Sequence, residues 1–173
     1  LNKNNIGGNR MERGKWNAIT DVPGVKIGHV TLEEQLSDEE VVRTGVTAIL
    51  PHRGNLFEEK VTAANFVLNG FGKTVGLIKF DELGLIESPI MLTNTFSVAA
   101  TLEGTLSYML DENPSLGHST SSLNVIVEAC NDSPLNSMRL MKVKPQHAIN
   151  AIQRAEPGPF EPGAVGAGKG MLC

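Results

Sequence analysis

Cysteine is scarce. The two present, Cys130 and Cys173, have no CxxC spacing, which excludes a disulfide framework and the common zinc modules. Aromatic residues make up only 5%, with one Trp and one Tyr, so a core has to be built from aliphatic side chains. No run approaches the ~20 apolar residues that a membrane-spanning helix requires. The opening LNKNNIGGNR has no apolar stretch of the kind a secretory leader carries. There is no block of Lys and Arg, and 15 Lys+Arg against 19 Asp+Glu gives a formal charge of −4, which argues against nucleic acid as a partner. These absences lead to the expectation of a cytoplasmic protein that uses no metal or other cofactor and contacts neither membrane nor nucleic acid.

What is present is ordinary globular material: 173 residues, 40% hydrophobic and 20% charged, enough for a single domain. The 18 Gly and 9 Pro point to short aliphatic elements joined by tight turns, as in a layered α/β or α+β domain. Residues 1–16 are expected to be an N-terminal extension, partly disordered or vector-derived, around a natural start at Met11. Asn17 to Val22 and Val25 to Val30, separated by Pro23-Gly24, are expected to pair as a hairpin. Residues 31–40, rich in Glu and Asp, are expected to be a solvated loop, and Thr44 to Leu50 a strand that Pro51 ends.

Val61 to Leu68 fits both periods. Gly70-Phe71-Gly72 marks a turn, Val75 to Phe80 is strand-like, and Pro89 to Thr93 is a short buried run. Phe96, Ala99, Ala100, Leu102, Leu106, Met109 and Leu110 recur near the helical period, with Asn94 or Thr95 as cap and Asn113-Pro114 as stop. Ser119 to Ser122 form a polar loop. Leu123 to Cys130 is a β-branched core strand, and Pro145 opens a short helix through Ala155. From Glu156 the chain is mostly Gly and Pro. The order, mainly strand and then helix, strand, helix, is α+β.

The one local motif that suggests chemistry is Gly163-Ala-Val-Gly-Ala-Gly168-Lys169-Gly170, which fits GxxxxGK. Gly170 stands where a phosphate loop has Ser or Thr for magnesium, and prolines precede the motif instead of a strand. A loop using glycine for close backbone contact, beside an active site, is the better reading. His29, His52, His118 and His147 have no second ligand three or four residues away, so surface or hydrogen-bonded roles are expected rather than zinc. Cys130 closes a strand, where a thiol usually serves as a small apolar group. Glu128 inside the same strand either faces solvent, the favoured reading, or is paired, for example with a substrate ammonium. No Gly-x-Ser-x-Gly elbow is present.

Six segments taken together resemble one family: Ile19 to Gly24 with Gly28-His29, Arg43 to Pro51, Asn69 to Gly72, Glu87 to Thr95, Cys130 to Asn136, and Gly163 to Met171. In order and spacing, from about Asn17 to Cys173, they are similar to the L-aminopeptidase/D-esterase family, which includes the β-peptidyl aminopeptidases. The resemblance implies a precursor that cuts itself into an α and a β chain. The new N-terminal Ser of the β chain is the nucleophile, and its α-amino group the base. It also implies a four-layer α/β/β/α sandwich, shared with ornithine acetyltransferases and completed by the second chain. Implied too are release of N-terminal residues from short peptides, amides or esters, no metal requirement, and homo-oligomers of αβ units.

On this reading residues 17–173 are the α-chain portion of one catalytic domain. The nucleophilic Ser and an oxyanion Asn are expected beyond Cys173, so no catalytic residue is assigned within the sequence. The loop residues Gly166, Gly168 and Gly170 are expected beside the site. The family pattern has an acid immediately before the position of Cys130, which pairs with the substrate's amine; here that place is Ala129, and Glu128 comes one residue earlier. Adjacent strand residues face opposite ways, so Glu128 is not assumed to replace it. Asn131 falls where relatives shape the pocket, and Glu128, Asn131 and Asp132 are carried as substrate-binding candidates. Two rivals remain: an acyltransferase of the ornithine acetyltransferase type with a Thr nucleophile, and a non-catalytic ligand-binding relative, suggested by the missing acid at position 129.

Overall fold

In the computed structural model, which describes residues 12–119 and 122–172, strand register sorts the side chains into rows. Lys26–Gln35 (β1) and Val41–Leu50 (β2) form an antiparallel hairpin, with Lys26 opposite Leu50 and Gln35 opposite Val41. Val61–Thr62 (β3), the helix Leu77–Leu83 (α1) and Leu85–Ile86 (β4) make a small unit in which β3 and β4 pair. Ile90–Asn94 (β5) lies antiparallel to β2. The long helix Val98–Glu112 (α2) leads to Ile126–Cys130 (β6), parallel to β5, and Pro145–Gln153 (α3) follows. The main sheet therefore has the order β1-β2-β5-β6, and the fold is α+β with a mixed sheet.

One row, Gly28–Ala48–Met91–Val127, crosses all four strands on the face covered by α2 and α3. Val30, Val46 and Val125 join it, packed against Val98, Ala148, Ala151 and Ile152. Burying each such aliphatic side chain is worth about 1.5–3 kcal/mol. Gly28 allows the close approach of α3, since a Cβ there would stand 2.0 Å from the Ala151 carbonyl oxygen. The opposite face carries the row Ile27–Ile49–Ile90–Ile126, and Phe80 and Ile86 pack on Ile126 from the small unit.

Several sequence expectations are corrected. Residues 19–21 form a 3-10 turn rather than a strand, because the Asp21 carboxylate accepts from the Trp16 and Ala18 backbone N–H groups and curls the segment. The hairpin partner of β1 is therefore β2. The acidic stretch is not a loop until Leu36. β1 runs through Gln35 as an edge strand whose charges face water, with Glu33 opposite Arg43. Val75 makes a single bridge to Val127, after which Gly76, at φ +89°, turns the chain and residues 77–83 form a helix that buries Phe80. Of 61–68 only two residues are strand, and Phe66 and Leu68 are exposed.

α2 stops at Glu112, ahead of Asn113-Pro114, and the Asn94 side chain caps the short turn before it by accepting from the Phe96 N–H. The Met11 start, the middle of the Ser119 to Ser122 loop and Cys173 lie outside the described residues; residues 12–16 are exposed.

Glu87, buried between β4 and β5, is the polar hub of the small unit. It accepts from Lys79 Nζ at 2.5 Å and the Asn124 N–H at 2.7 Å, with Lys60 Nζ at 3.8 Å. Glu87→Ala leaves Asn124 without its acceptor and Lys79 without its partner, and is expected to lower stability by about 3 kcal/mol in urea denaturation. Glu87→Gln keeps an acceptor oxygen and should lose about half as much. Equal losses for both variants would show that charge, not the accepted hydrogen bonds, sets the contribution.

Candidate functional site

Alternation along β6 decides which of its residues can meet another molecule. Val125, Val127 and Ala129 pack toward the helices, whereas Ile126 belongs to the cluster on the opposite face. Glu128 and Cys130, of the same parity as Ile126, are exposed there. Position 129 faces the helix layer, so an acid there would point into the aliphatic core. Glu128 ends a second row across that opposite face, His29–Thr47–Leu92–Glu128. Thr47 is buried, His29 and Leu92 are half-buried, and Glu128 is exposed.

The turn Gly166–Gly170 covers the β1–β2 half of this face. Its first two N–H groups are taken by hydroxyls of the sheet: Gly166 donates to Thr31 Oγ1 at 2.8 Å and Ala167 to Thr47 Oγ1 at 3.1 Å. Gly166, at φ +53°, has no room for a side chain, since a Cβ would stand 2.4 Å from Thr47 Oγ1 and 2.6 Å from His29 Nδ1. Within the turn Gly168 donates to the Val165 carbonyl at 2.9 Å, and Lys169 is ion-paired to Glu33 at 2.7 Å, holding that carboxyl below its ordinary pKa. A phosphate loop needs free N–H groups and a free lysine ahead of a helix. Here both are occupied within the fold, so the GxxxxGK match is a sheet-packing turn.

The three substrate-binding candidates are not equivalent. Glu128 is exposed on the face just described. Asn131 is exposed as well, and its side-chain oxygen accepts from the Ser133 N–H, a local turn. Asp132 is 0% exposed and turned inward, where Oδ1 accepts from Asn136 Nδ2 at 3.1 Å. Asp132 lies against Gly170, which brings the end of β6 and the end of the turn together. Thr31, Thr47 and Asn136 escaped the sequence reading, and only the period-two alternation of β1 and β2 hinted that the two threonines share a face.

His29 Nδ1 lies 2.9 Å from Thr47 Oγ1, and its ring is 6.0 Å from that of Phe160. Burial pushes its pKa below the ordinary value, with Glu161 acting in the opposite sense. A surface depression of about 760 Å³ lies between Trp16, Ile19, Phe160 and Pro162. Among the described residues, no group of three His, Cys, Asp or Glu side chains is placed to hold a metal ion, and no helix is long and apolar enough to cross a membrane.

The sequence profile of peptidase family S58 matches residues 17–173. A β-peptidyl aminopeptidase, BapA, of Sphingosinicella microcystinivorans is 38% identical over 164 residues, covering 92% of this chain and 40% of that protein. Among solved structures, the PH0078 protein of Pyrococcus horikoshii OT3 superposes with a TM-score of 0.89 at 54% identity, over 93% of this chain and 46% of that one. The L-aminopeptidase D-Ala-esterase/amidase of Ochrobactrum anthropi, a prototype serine aminopeptidase and a variant among the Ntn hydrolase fold, superposes with a TM-score of 0.82 at 29% identity, over 93% and 46%. The chain thus spans less than half the length of these relatives.

The lowered pKa of His29 has a consequence for stability. An unfolded chain binds a proton at this site as the pH falls below about 6.5, whereas the folded chain resists it, so stability is lost toward acid. His147 shifts the same way, through burial first and the Lys144 charge second. Denaturant titrations at pH 7.5 and 5.5 should show a loss of stability at the lower pH that His29→Gln reduces and His29→Gln with His147→Gln reduces further. An unchanged loss in the double variant would assign it to other groups.

Proposed function

The chain belongs to peptidase family S58, and from that premise we propose that it is the α-chain portion of a self-processing aminopeptidase. The nucleophile is the N-terminal Ser of a β chain cut from the same precursor. Its hydroxyl attacks the carbonyl of an N-terminal residue while its own α-amino group takes the proton and returns it to the leaving amine. Water then hydrolyses the acyl-enzyme. Substrates are short peptides, amides or esters with a free amine, and the chemistry calls on no cofactor.

The observation that carries this reading is the exposure of Glu128 on the sheet face away from the helices, beside a turn bolted to the same face. A carboxylate there meets the substrate ammonium through charge-assisted hydrogen bonds. That position 129 faces the helices while Glu128 faces the other way supports Glu128 as the amine-binding acid. Asn131, exposed two residues past Ala129, borders the pocket, and Asp132 supports it from beneath. The β chain supplies the sheet and helix layers that complete a four-layer α/β/β/α sandwich, and αβ units assemble into a homo-oligomer.

The full-length gene product should migrate as two fragments, and Ser→Ala at the first residue of the second fragment should leave one. A wild-type protein that stays uncut and inert toward aminoacyl p-nitroanilides contradicts the reading. In the processed enzyme, Glu128→Gln should raise KM for free-amine substrates about 10- to 100-fold, as loss of a charged hydrogen bond does, with a smaller change in kcat. An unchanged KM would remove Glu128 from amine recognition.

A further inference from the structure

The motif Asn69-Gly70-Phe71-Gly72 leads into a short strip of chain along the outer edge of β6, the last strand of the main sheet. Asn69 Oδ1 accepts from the Phe71 N–H and turns the chain. Val75 then exchanges both backbone hydrogen bonds with Val127, at 3.0 and 3.3 Å. The exchange is antiparallel, so Thr74 stands opposite Glu128 and Gly72 opposite Cys130. Gly72 keeps to this course, since a Cβ on it would stand 4.0 Å from the Ala129 carbonyl oxygen.

Directly opposed residues of an antiparallel pair share a face. Val75 packs toward the helices with Val125 and Val127, so Thr74 lies on the other face and extends the row His29–Thr47–Leu92–Glu128 by one place. Gly72 has the same parity, and a Cβ on it would stand 3.3 Å from Thr74 Oγ1. Thr74 is half-buried. Lys73, of opposite parity, turns its Nζ back to the Phe71 carbonyl oxygen at 3.5 Å rather than pairing with Glu128. Among the described residues, no hydrogen bond or ion pair engages Thr74 Oγ1 or the Glu128 carboxylate.

An ammonium group has three N–H donors and no acceptor, so a single carboxylate leaves part of it unmatched. Opposed side chains across an antiparallel pair have Cβ atoms about 5 Å apart, near enough for one nitrogen to touch both. We propose that Thr74 is the second acceptor of the amine site: its Oγ1 takes one N–H of the substrate ammonium while the Glu128 carboxylate takes another. The proposal rests on the function given above, with Glu128 as the amine-binding acid. The amine is held between β6 and the strip beside it, and recognition depends on donor direction as well as charge. Gly72 keeps the space beside the hydroxyl open, because a side chain there would lie against it.

Thr74→Val removes the hydroxyl at nearly constant volume, and Thr74→Ser keeps it. In the processed full-length enzyme acting on an aminoacyl p-nitroanilide, Thr74→Val should raise KM about tenfold with kcat within about threefold of wild type. Thr74→Ser should bring KM back to within about threefold. The kcat/KM for that substrate, divided by kcat/KM for the p-nitrophenyl ester of the same acid without its amine, should fall about tenfold in Thr74→Val. A merely structural role would lower both values together and leave the ratio in place, and that result overturns the proposal. So does a Thr74→Val enzyme with unchanged KM; if Glu128→Gln raises KM in the same assay, the amine site stands without Thr74. If Glu128→Gln also leaves KM unchanged, or the wild type is uncut and inert, the functional reading fails and the proposal with it. Thr74→Ala, which adds no bulk, supplies the same comparison if the valine variant does not fold.

Discussion

Strand register is the constraint on which the rest of the structure depends. Because β1, β2, β5 and β6 align residue for residue, one row of small and aliphatic side chains, Gly28–Ala48–Met91–Val127, lies entirely under the helices, and its neighbour, His29–Thr47–Leu92–Glu128, lies entirely on the other face. A slip of one residue in β6 would exchange Glu128 with Ala129, sending a carboxylate into the aliphatic core. The dry packing of Val125 and Val127 against the helical layer thus holds Glu128 outward. The same register places the Thr31 and Thr47 hydroxyls where the 166–170 turn needs acceptors.

That turn is held by many small interactions rather than by one strong contact. Two hydroxyls accept its leading N–H groups, Lys169 reaches Glu33, and Gly170 lies on Arg43 and Asp132. Each of these is worth about 1 kcal/mol or less by ordinary measure, and the exposed ion pair least of all. Together they determine a single course for a glycine-rich segment that has little conformational preference of its own. A backbone fixed in this way on a rigid sheet is a suitable border for a site that must hold a small substrate.

Much of the fold was legible in the sequence where local pattern and burial agree. α2 shows its helical period and its Asn113-Pro114 stop, β6 its β-branched run, and α3 its opening Pro145. The second half of β1 was not legible, because an exposed edge strand has the composition of a loop. Val75 to Phe80 has the apolar content of a strand, but the positive φ of Gly76 turns the chain and Leu77–Leu83 is a helix. For the site, alternation alone says that Glu128 and Ala129 face opposite ways, but which face the helices cover is a tertiary fact. The anchoring of Gly166 to Thr31 and of Ala167 to Thr47 joins residues 135 and 120 apart, beyond the reach of any local pattern. Asp132, a substrate-binding candidate in the sequence, is buried, with Oδ1 accepting from Asn136 Nδ2, and no local pattern announces that burial.

The central claim is that the sheet face ending in Glu128 is where a free amine is received. The most direct measurement is a crystal structure of the full-length gene product, with its nucleophile disabled, holding a short aminoacyl amide. The account predicts the ammonium within about 3 Å of the Glu128 carboxylate, in charge-assisted hydrogen-bond contact, with the scissile carbonyl lying over the Leu92 side of the row. An ammonium bound by a different acid, with Glu128 left in water, would contradict it.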